Sequence, residues 1–304
     1  MHHPPPPAPG TPGGPGLGFV LGTGRCGSTL LFDVLARHPD AGFPTNLDDH
    51  LRRVPAPLRR LGTAAHRRLP PGFPPRRVRP AEAQAAMARE ISPMISDPFR
   101  DLLAEDVTPW LARRAREFFA GRAAAEGVRH YLHKFTGWPR AGFLHEVFPE
   151  ARFVHIVRDG RAVANSWLQM SWWRGHLGPA SWDYGPLPRS YAEEWHEGGR
   201  CLVHLAGIGW KILMDAFEMS RAGVPARLWL EVRYEDLLAD PRKQVDVITE
   251  FLGLPWTTDF ERRFARQPIS AGRAEAFRRD LTPRQLAVLD RSLGHRLRQL
   301  GYPA

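Results

Sequence analysis

The sequence predicts an α/β fold of three layers, in which a central parallel sheet carries helices on both faces. Short apolar segments, typical of buried parallel strands, alternate with segments whose apolar residues recur at helical spacing. A glycine-rich loop joins the first predicted strand to the first predicted helix. Strands that alternate with helices pair in parallel, because each helix carries the chain back across a face of the sheet.

The predicted strands are apolar segments bounded by glycine, proline or charged residues. Residues 17–21 (LGFVL) form a continuous apolar run, and residues 151–157 (ARFVHIV) form the clearest strand, between Pro149 and Asp159. Further strands are expected at residues 130–134 and 227–232. Their brevity fits a sheet that is covered on both faces.

The predicted helices carry apolar residues on one side. In residues 28–37, Leu30, Leu31, Val34 and Leu35 recur at helical spacing directly after the glycine-rich loop. The same periodicity predicts further helices at residues 81–91, 108–126 and 141–148, from residue 161, in a long segment ending near residue 221, and at residues 242–252 and 282–300.

Two segments depart from this pattern. Residues 1–16 contain seven prolines and four glycines and lack the apolar stretch of a secretory signal, so we expect a disordered leader. Residues 51–80 contain nine arginines, seven prolines and no acid, which favours a mobile basic loop or lid, or a merely solvated insertion, over regular structure. The remainder, residues 17–304, is expected to form a single domain.

Composition excludes several classes of protein. No run of 18 apolar residues occurs, so no membrane span is predicted, and two distant cysteines exclude a disulfide scaffold and favour the reducing cytoplasm. The formal net charge of +10 comes almost entirely from arginine, since the chain has only three lysines. Such a balance indicates an anionic partner, either a nucleic acid or a phosphate-rich ligand, or else a genome whose codons favour arginine.

Residues 22–29 read GTGRCGST and lie between a predicted strand and a predicted helix. Gly22, Gly27 and Thr29 match the phosphate-binding loop GxxxxGK[ST], but Ser28 stands in place of its lysine. Backbone N–H groups and the helix N-terminus can still bind a phosphate there. The loop therefore predicts phosphate binding without ATP hydrolysis, and a tight turn without a ligand is the alternative.

A second anion site is predicted at the end of the strand at residues 151–157. Arg158 follows this strand, in the place where an ATPase would carry a magnesium-binding aspartate. A guanidinium suits a phosphate better than a metal ion. Two anion sites at the ends of neighbouring strands suit a nucleoside that is phosphorylated at both ends.

Four segments, in order, resemble the PAPS-dependent sulfotransferases, which transfer the sulfuryl group of 3′-phosphoadenosine 5′-phosphosulfate (PAPS) to an acceptor hydroxyl or amine. They are GTGRCGSTLLFDVLARHPD, FPEARFVHIVRDGRAVANSW, RYEDLLADPRKQVDVITEFLGLP and GRAEAFRRDL. The resemblance runs from about residue 17 to residue 281. It implies an α/β fold like that of the P-loop nucleotide kinases, PAPS as co-substrate and no metal.

The resemblance also assigns residues to the co-substrate. The first segment would hold the 5′-phosphosulfate, and Arg158 and Ser166 would hold the 3′-phosphate. The last segment would close over the nucleotide, although Glu275 and Phe277 replace the glycine and tryptophan of the family pattern. The implied cofactor-binding residues are Arg25, Cys26, Gly27, Ser28, Thr29, Arg158, Ser166, Arg273 and Arg278, with Gly272 retained beside them.

Arg25 and Lys134 are the predicted catalytic cations, because sulfuryl transfer resembles phosphoryl transfer in needing stabilised oxygens and a neutralised leaving phosphate. Lys134 matches the lysine of the family's KTP or KTH segments. Thr136, however, stands where cytosolic members carry a histidine base. Tyrosylprotein and many bacterial members instead use a glutamate shortly after the HP dipeptide, but residues 43–46 contain no acid.

The predicted general base is therefore Asp48 or Asp49, with a slight preference for Asp48. His133 is a competitor, although next to Lys134 on a strand it should point to the opposite face. His50 and groups in residues 167–195 remain further alternatives. Each candidate has the ordinary alternative of a helix cap or a core hydrogen bond.

The acceptor is expected to be a small molecule or a carbohydrate. Trp172, Trp173 and Trp182 are candidates for the walls of its pocket, or else pack in the core. One rival reading is a P-loop kinase-like phosphotransferase, and another is a non-enzymatic basic nucleic-acid-binding protein. The sequence disfavours the latter, because it contains neither zinc-finger spacing nor an RNA-recognition motif.

Overall fold

The computed structural model describes residues 15–270 and 274–303. Within them, five strands form one sheet of order β2-β3-β1-β4-β5, in which every neighbouring pair is parallel. The strands are β1 (Gly16–Gly22), β2 (Ala41–Gly42), β3 (His130–Thr136), β4 (Arg152–Val157) and β5 (Trp229–Arg233). The four strands predicted from sequence are present, and β2 is too short to leave an apolar run.

Apolar side chains pack on both faces of the sheet. Along β1, Val20 belongs to one buried cluster, whereas its neighbours Phe19 and Leu21 belong to another. Successive side chains of a strand point to opposite faces, so each cluster lies between the sheet and its own layer of helices. Leu289 packs in the first cluster and Phe119 in the second. The predicted three-layer α/β fold is confirmed.

Eight of the described helices lie close to predicted positions, and the other seven, most of them short, are not predicted from the sequence. Their bounds are α1 (Ser28–Leu35), α2 (Asn46–His50), α3 (Ala56–Arg68), α4 (Gln84–Glu90), α5 (Pro93–Ser96), α6 (Pro109–Glu126), α7 (Ala141–Val147), α8 (Gly160–Leu168), α9 (Arg189–Glu197), α10 (Leu202–Gly223), α11 (Tyr234–Ala239), α12 (Pro241–Leu252), α13 (Thr258–Phe264), α14 (Phe277–Asp280) and α15 (Pro283–Gln299).

Helix ends coincide with sequence signals. Thr108 caps α6 by accepting a hydrogen bond from the backbone N–H of Leu111 at 3.2 Å, and Pro109 occupies the first turn. The helix ends at Gly127, whose φ of 70° is costly for a residue with a side chain. These residues explain why α6 begins and ends where the sequence predicts.

The segment at residues 51–80 corrects the sequence-based expectation, because 13 of its residues form α3. Pro55 and Pro57 lie at the start of this helix, where proline is tolerated. Arginine and alanine, which dominate the rest of the helix, favour helix formation. Buried Arg59 and Thr63 then fix α3 against the domain. Such tertiary contacts stabilise the helix and cannot be predicted from composition.

The order of the strands places the site. Gly22 at the end of β1 pairs with Thr136 at the end of β3, and β4 lies on the other side of β1 and ends at Val157. The carboxyl ends of three adjacent strands therefore meet at one edge, where ligands bind in open parallel sheets. Among the described helices, none is long and apolar enough to cross a membrane.

Candidate active site

The loop between β1 and α1 has the geometry of a phosphate-binding turn. Gly24, Arg25 and Gly27 all have positive φ angles, of 77°, 57° and 94° respectively. A Cβ atom on Gly27 would lie 2.2 Å from the ring of Tyr234, so close packing as well as backbone conformation requires glycine there. The loop ends at the N-terminus of α1, whose N–H groups favour an anion.

Side chains of this loop divide between the core and the solvent. Cys26 is fully buried, and a Cβ atom on Gly22 would lie 2.4 Å from its Sγ, so Cys26 can offer a ligand only its backbone N–H. Ser28 is also buried, whereas Arg25 and Thr29 are exposed. The backbone and these two exposed side chains are therefore the groups available to a phosphosulfate.

The structure brings Arg158 and Ser166 to the same loop. Arg158 follows β4 and donates a hydrogen bond through Nη1 to the backbone oxygen of Arg25 at 2.8 Å. Arg25 in turn donates through Nε to the Ser166 hydroxyl, which lies on α8, at 2.9 Å. The guanidinium of Arg158 stacks 4.7 Å from the ring centroid of Tyr234. The two predicted anion sites are thus adjacent.

Lys134 connects the loop to a carboxylate that the sequence analysis missed. Its Nζ lies 3.0 Å from the Thr29 hydroxyl and 3.0 Å from Oε1 of Glu82. The Thr136 hydroxyl also donates to Glu82, at 3.0 Å. One feature of the sequence could have identified Glu82. It is the first acidic residue after Asp49 and follows 32 consecutive residues that contain no acid.

Glu82 is ionised at neutral pH. Burial by itself would raise the pKa of its carboxyl, but the charge and hydrogen bond of Lys134 and the hydrogen bond of Thr136 outweigh burial and hold this pKa below its ordinary value. An ionised carboxylate beside a lysine at the end of a sheet can accept a proton from a bound molecule.

The loop, Lys134, Glu82 and Arg158 line a cavity of about 940 Å³, and Ser166 is not among its lining residues. Its lining includes residues of the loop, Lys134 and Arg158, together with Asp97, Asp183 and several aromatic rings. The volume is in the range of small-molecule sites. The aromatic residues of the lining are Trp138, Trp172, Tyr184 and Tyr234.

The predicted bases Asp48 and Asp49 do not line this cavity. Asp48 lies in α2 with its side chain fully buried, 2.7 Å from Nη2 of Arg59 and 3.1 Å from Nε of Arg122. It also accepts a hydrogen bond from the backbone N–H of Thr45 at 2.9 Å. Asp49 accepts a hydrogen bond from the backbone N–H of Ala86. Asp48 therefore serves as a helix cap and an ion-pair partner, and Asp49 as a hydrogen-bond acceptor for the first turn of α4.

The charge on Asp48 is held by its surroundings. Burial favours the neutral acid, but the hydrogen bonds and charge of Arg59 and the charge of Arg122 lower the pKa of Asp48 below its ordinary value. Asp48 instead borders a second cavity, of about 540 Å³, together with these two arginines. The alternative base His133 is fully buried among aromatic rings, and burial lowers its pKa to about 3.

Of the three tryptophans predicted as pocket walls, only Trp172 lines the cavity, and 47% of it is exposed. Trp173 and Trp182 are buried in the core. Trp173 and Trp182 therefore pack in the core, which was the alternative to a place in the pocket wall. Trp138, which follows β3, takes part in the wall without having been singled out in the sequence.

The C-terminal segment is described only in part. Gly272 and Arg273 lie outside the described residues. Arg278 is about half exposed, lies 3.3 Å from Glu275 and does not line the cavity as described. Arg158 reaches the start of this segment through the backbone oxygen of Ala274, at 3.5 Å. A role for Arg273 and Arg278 in nucleotide binding stays a prediction.

Comparison with known proteins identifies the family. Residues 19–258 match the profile described as the sulfotransferase family, which is more than half of the chain. The chain belongs to the sulfotransferase family. This match agrees with the motifs at the loop and at Arg158, and it confirms the family predicted from sequence.

A curated relative supports the assignment over a shorter stretch. Protein-tyrosine sulfotransferase A of Caenorhabditis elegans is 31% identical over 116 residues, which are 38% of this chain and 25% of the relative. The matched stretch of this sulfotransferase thus spans about a quarter of the length of the curated relative.

Solved structures agree on the fold. Sulfotransferase STF9 from Mycobacterium avium superposes with a TM-score of 0.58 at 16% identity, over 95% of this chain and 77% of that one. Sulfotransferase STF1 from Mycobacterium tuberculosis gives a TM-score of 0.52 at 19% identity, over 93% and 77% of the two chains. These similarities confirm the α/β sulfotransferase fold.

Proposed function

We propose that this chain transfers the sulfuryl group of PAPS to a hydroxyl or amine of a small-molecule or carbohydrate acceptor. The observation that carries the proposal is the contact chain from Arg158 through Arg25 to Ser166, which joins the two predicted anion sites at the end of one sheet. A nucleotide phosphorylated at its 3′ and 5′ positions suits such a pair of sites. Charge-assisted contacts to each phosphate would supply its affinity.

The 5′-phosphosulfate would lie on the loop. The backbone N–H groups of the loop and of the first turn of α1 would bind its oxygens, with Arg25 and Thr29 alongside. Arg158 and Ser166 would bind the 3′-phosphate. Cys26 and Ser28 would contribute through the backbone, because their side chains are buried.

Lys134 would stabilise the charge that grows during transfer. Its ammonium lies 3.0 Å from Thr29 on the loop side and 3.0 Å from Glu82 on the acceptor side. A cation in this position is adjacent both to the transferring group and to the base. Charge stabilisation of this kind accelerates the reaction when it is stronger in the transition state than in the ground state.

We assign the general base to Glu82 in place of Asp48 and Asp49. Its carboxylate would take the proton from the acceptor hydroxyl or amine as the acceptor atom bonds to sulfur. The bond between sulfur and the bridging phosphate oxygen would break at the same time, and its electron pair would leave with 3′-phosphoadenosine 5′-phosphate. Glu82 meets the geometric requirement for this role, because it is ionised, lines the cavity and contacts Lys134.

The experiment that tests the function has two steps. Thermal denaturation with 3′-phosphoadenosine 5′-phosphate should raise the melting temperature in the absence of metal, because a ligand of the native state stabilises it. An acceptor screen should then release this bisphosphate from PAPS. A rise in melting temperature with ATP and Mg²⁺ alone would favour the kinase-like reading instead.

A further inference from the structure

Helix α3 has the reverse of the usual polarity. It buries Arg59, Thr63 and His66 against the domain, with exposed fractions of 5%, 1% and 0%. It exposes Leu58 and Leu61, with exposed fractions of 39% and 67%. A surface helix normally turns its leucines to the core and its charged residues to water. The outward leucines therefore indicate a surface that meets something other than water.

Accessible apolar residues follow one another along α3 and the segment after it. Leu58, Leu61 and the half-buried Ala65 are spaced by three or four residues and so lie on one side of the helix. Leu69 follows the last residue of the helix and Phe73 comes four residues later, with exposed fractions of 38% and 75%. Together these residues are called the apolar stripe. We call residues 58–77 the α3 surface.

Arginines accompany the leucines on the α3 surface. Arg60, Arg68, Arg76 and Arg77 are all exposed. Among the described residues, no carboxylate lies within 4 Å of any of these four guanidinium groups. The α3 surface contains no acid of its own, and its one arginine in a described salt bridge, Arg59, is buried.

The helix is held firmly in this orientation. Arg59 forms a buried pair with Asp48 at 2.7 Å, and Arg37 donates to the backbone oxygens of His66 and Leu69 at 2.6 and 2.5 Å. Rotating α3 to bury its leucines would break these contacts and leave buried charges without partners. The exposure of the apolar stripe is thus fixed by the fold.

We propose that the α3 surface docks this protein on an anionic lipid bilayer. Leucine and phenylalanine side chains would enter the boundary between headgroups and acyl chains, and the arginines would contact lipid phosphates. Nucleic acid fits the arginines but not the apolar stripe, because phosphate contacts do not require exposed leucines. The proposal is independent of the sulfotransferase chemistry, since the α3 surface does not line the active-site cavity.

The test is flotation of the full chain with vesicles of phosphatidylcholine, with and without phosphatidylglycerol. We expect binding to the anionic vesicles that weakens as salt increases. The double variant Leu61→Ser and Phe73→Ser should reduce the fraction of protein bound to vesicles, because it removes two apolar contacts with the bilayer. We expect the partition coefficient to fall by at least about tenfold. Replacing Arg68, Arg76 and Arg77 by glutamine should reduce it about fivefold per arginine.

Met219→Ser is the matched control, because Met219 is 66% exposed on α10 and lies outside the α3 surface. It should bind vesicles like the original chain. All variants should keep the original melting temperature and bisphosphate affinity, since exposed side chains contribute little to folding. Any loss of vesicle binding would then be due to the replaced side chains of the α3 surface and not to unfolding.

Four results would overturn the proposal. The first is failure of the original chain to bind anionic vesicles at low salt, and the second is a double variant that binds as well as Met219→Ser. A third is binding of single-stranded DNA, lost on arginine replacement, without vesicle binding. A dimer that dissociates in the double variant, again without vesicle binding, would assign the surface to a second copy of the chain.

Discussion

Two carboxylates of this protein, Glu82 and Asp48, each lie beside cations, yet their surroundings differ. Glu82 contacts Lys134 and Thr136 at the border of the large cavity, and 18% of its side chain is exposed. Asp48 is enclosed by Arg59 and Arg122, and its side chain has no exposed surface. Both carboxyls have lowered pKa values, so both are ionised at neutral pH.

The difference lies in access and in the number of cationic partners, since Thr136 and Gln84 also donate hydrogen bonds to Glu82 but are neutral. Asp48 accepts hydrogen bonds from two guanidiniums and one backbone N–H, which leaves it without access to an acceptor. Glu82 contacts a single lysine that also reaches the loop. A lowered pKa alone therefore does not identify a base, because a structural ion pair produces the same shift.

Replacing Glu82 should have the largest effect on catalysis. In Glu82→Gln the amide keeps the shape of the side chain but cannot take a proton, so kcat should fall about 10²–10⁴-fold with the bisphosphate affinity unchanged. Steady-state kinetics with a known acceptor and a bisphosphate titration measure the two quantities. Asp97→Asn removes a carboxylate from the same cavity and should leave kcat close to normal. Equal losses in both variants would remove Glu82 from the role.

Replacing Asp48 should change stability instead. Asp48→Asn leaves Arg59 and Arg122 buried without their shared counter-ion, and breaking such a pair costs about 3–5 kcal/mol. Urea unfolding at neutral pH would show the loss. Turnover per folded molecule should be normal at low temperature. A stable Asp48→Asn protein without activity would restore Asp48 as the base.

Arg158 is predicted to bind a ligand, whereas Arg59 and Arg122 stabilise the fold by pairing with Asp48. Arg158→Ala should weaken binding of 3′-phosphoadenosine 5′-phosphate by about 2 kcal/mol, the order of one charged hydrogen-bonded contact. Calorimetry should show this loss, while adenosine 5′-phosphosulfate, which has no 3′-phosphate, should bind both proteins alike. Arg174→Ala, which removes another arginine of the cavity, is the matched control. Unchanged bisphosphate affinity in Arg158→Ala would disprove the 3′ site.

Replacing Glu126 should affect stability rather than catalysis, and only at higher pH. Burial raises the pKa of this carboxyl to about 8, although Arg67 and Arg59 oppose the shift. A raised native pKa means that the folded protein binds more protons, so its stability falls as pH rises from the unfolded value of about 4.5 to about 8. Glu126→Gln should therefore match the original chain near pH 5 and exceed it by on the order of 1–4 kcal/mol near pH 8.

Urea unfolding across this pH range measures the difference. The same series on Asp48→Asn separates the two carboxyls, because the lowered pKa of Asp48 stabilises the fold above its unfolded value and loses that effect only as pH falls. Parallel pH profiles for the original chain and Glu126→Gln would mean that Glu126 is ionised in the folded protein.

The sequence predicts the positions of the loop and of Arg158 in the fold correctly, because each depends on neighbouring residues. A strand, a glycine-rich turn and a helix are consecutive, and Arg158 directly follows its strand. The strands and longer helices are predictable for the same reason, since periodicity and capping residues are local.

Asp48, Glu82 and α3 show what local patterns cannot predict. The partners of Asp48 lie 11 and 74 residues away in the sequence. The spacing from the HP dipeptide therefore suggested a general base, although the carboxylate of Asp48 forms a buried ion pair. Glu82 meets Thr136 across 54 residues. Helix α3 depends on polar contacts with the domain, which its arginine and proline content does not reveal.

Tyr234 has a consequence for nucleotide selectivity. Its ring packs where a side chain on Gly27 would lie, and its face supports the guanidinium of Arg158. One rigid ring therefore lies against both the loop and Arg158 and fixes their relative position. Under the proposed function, nucleotides of equal charge would be distinguished by the distance between their phosphates, so that a 5′-diphosphate would bind less tightly than a 3′,5′-bisphosphate.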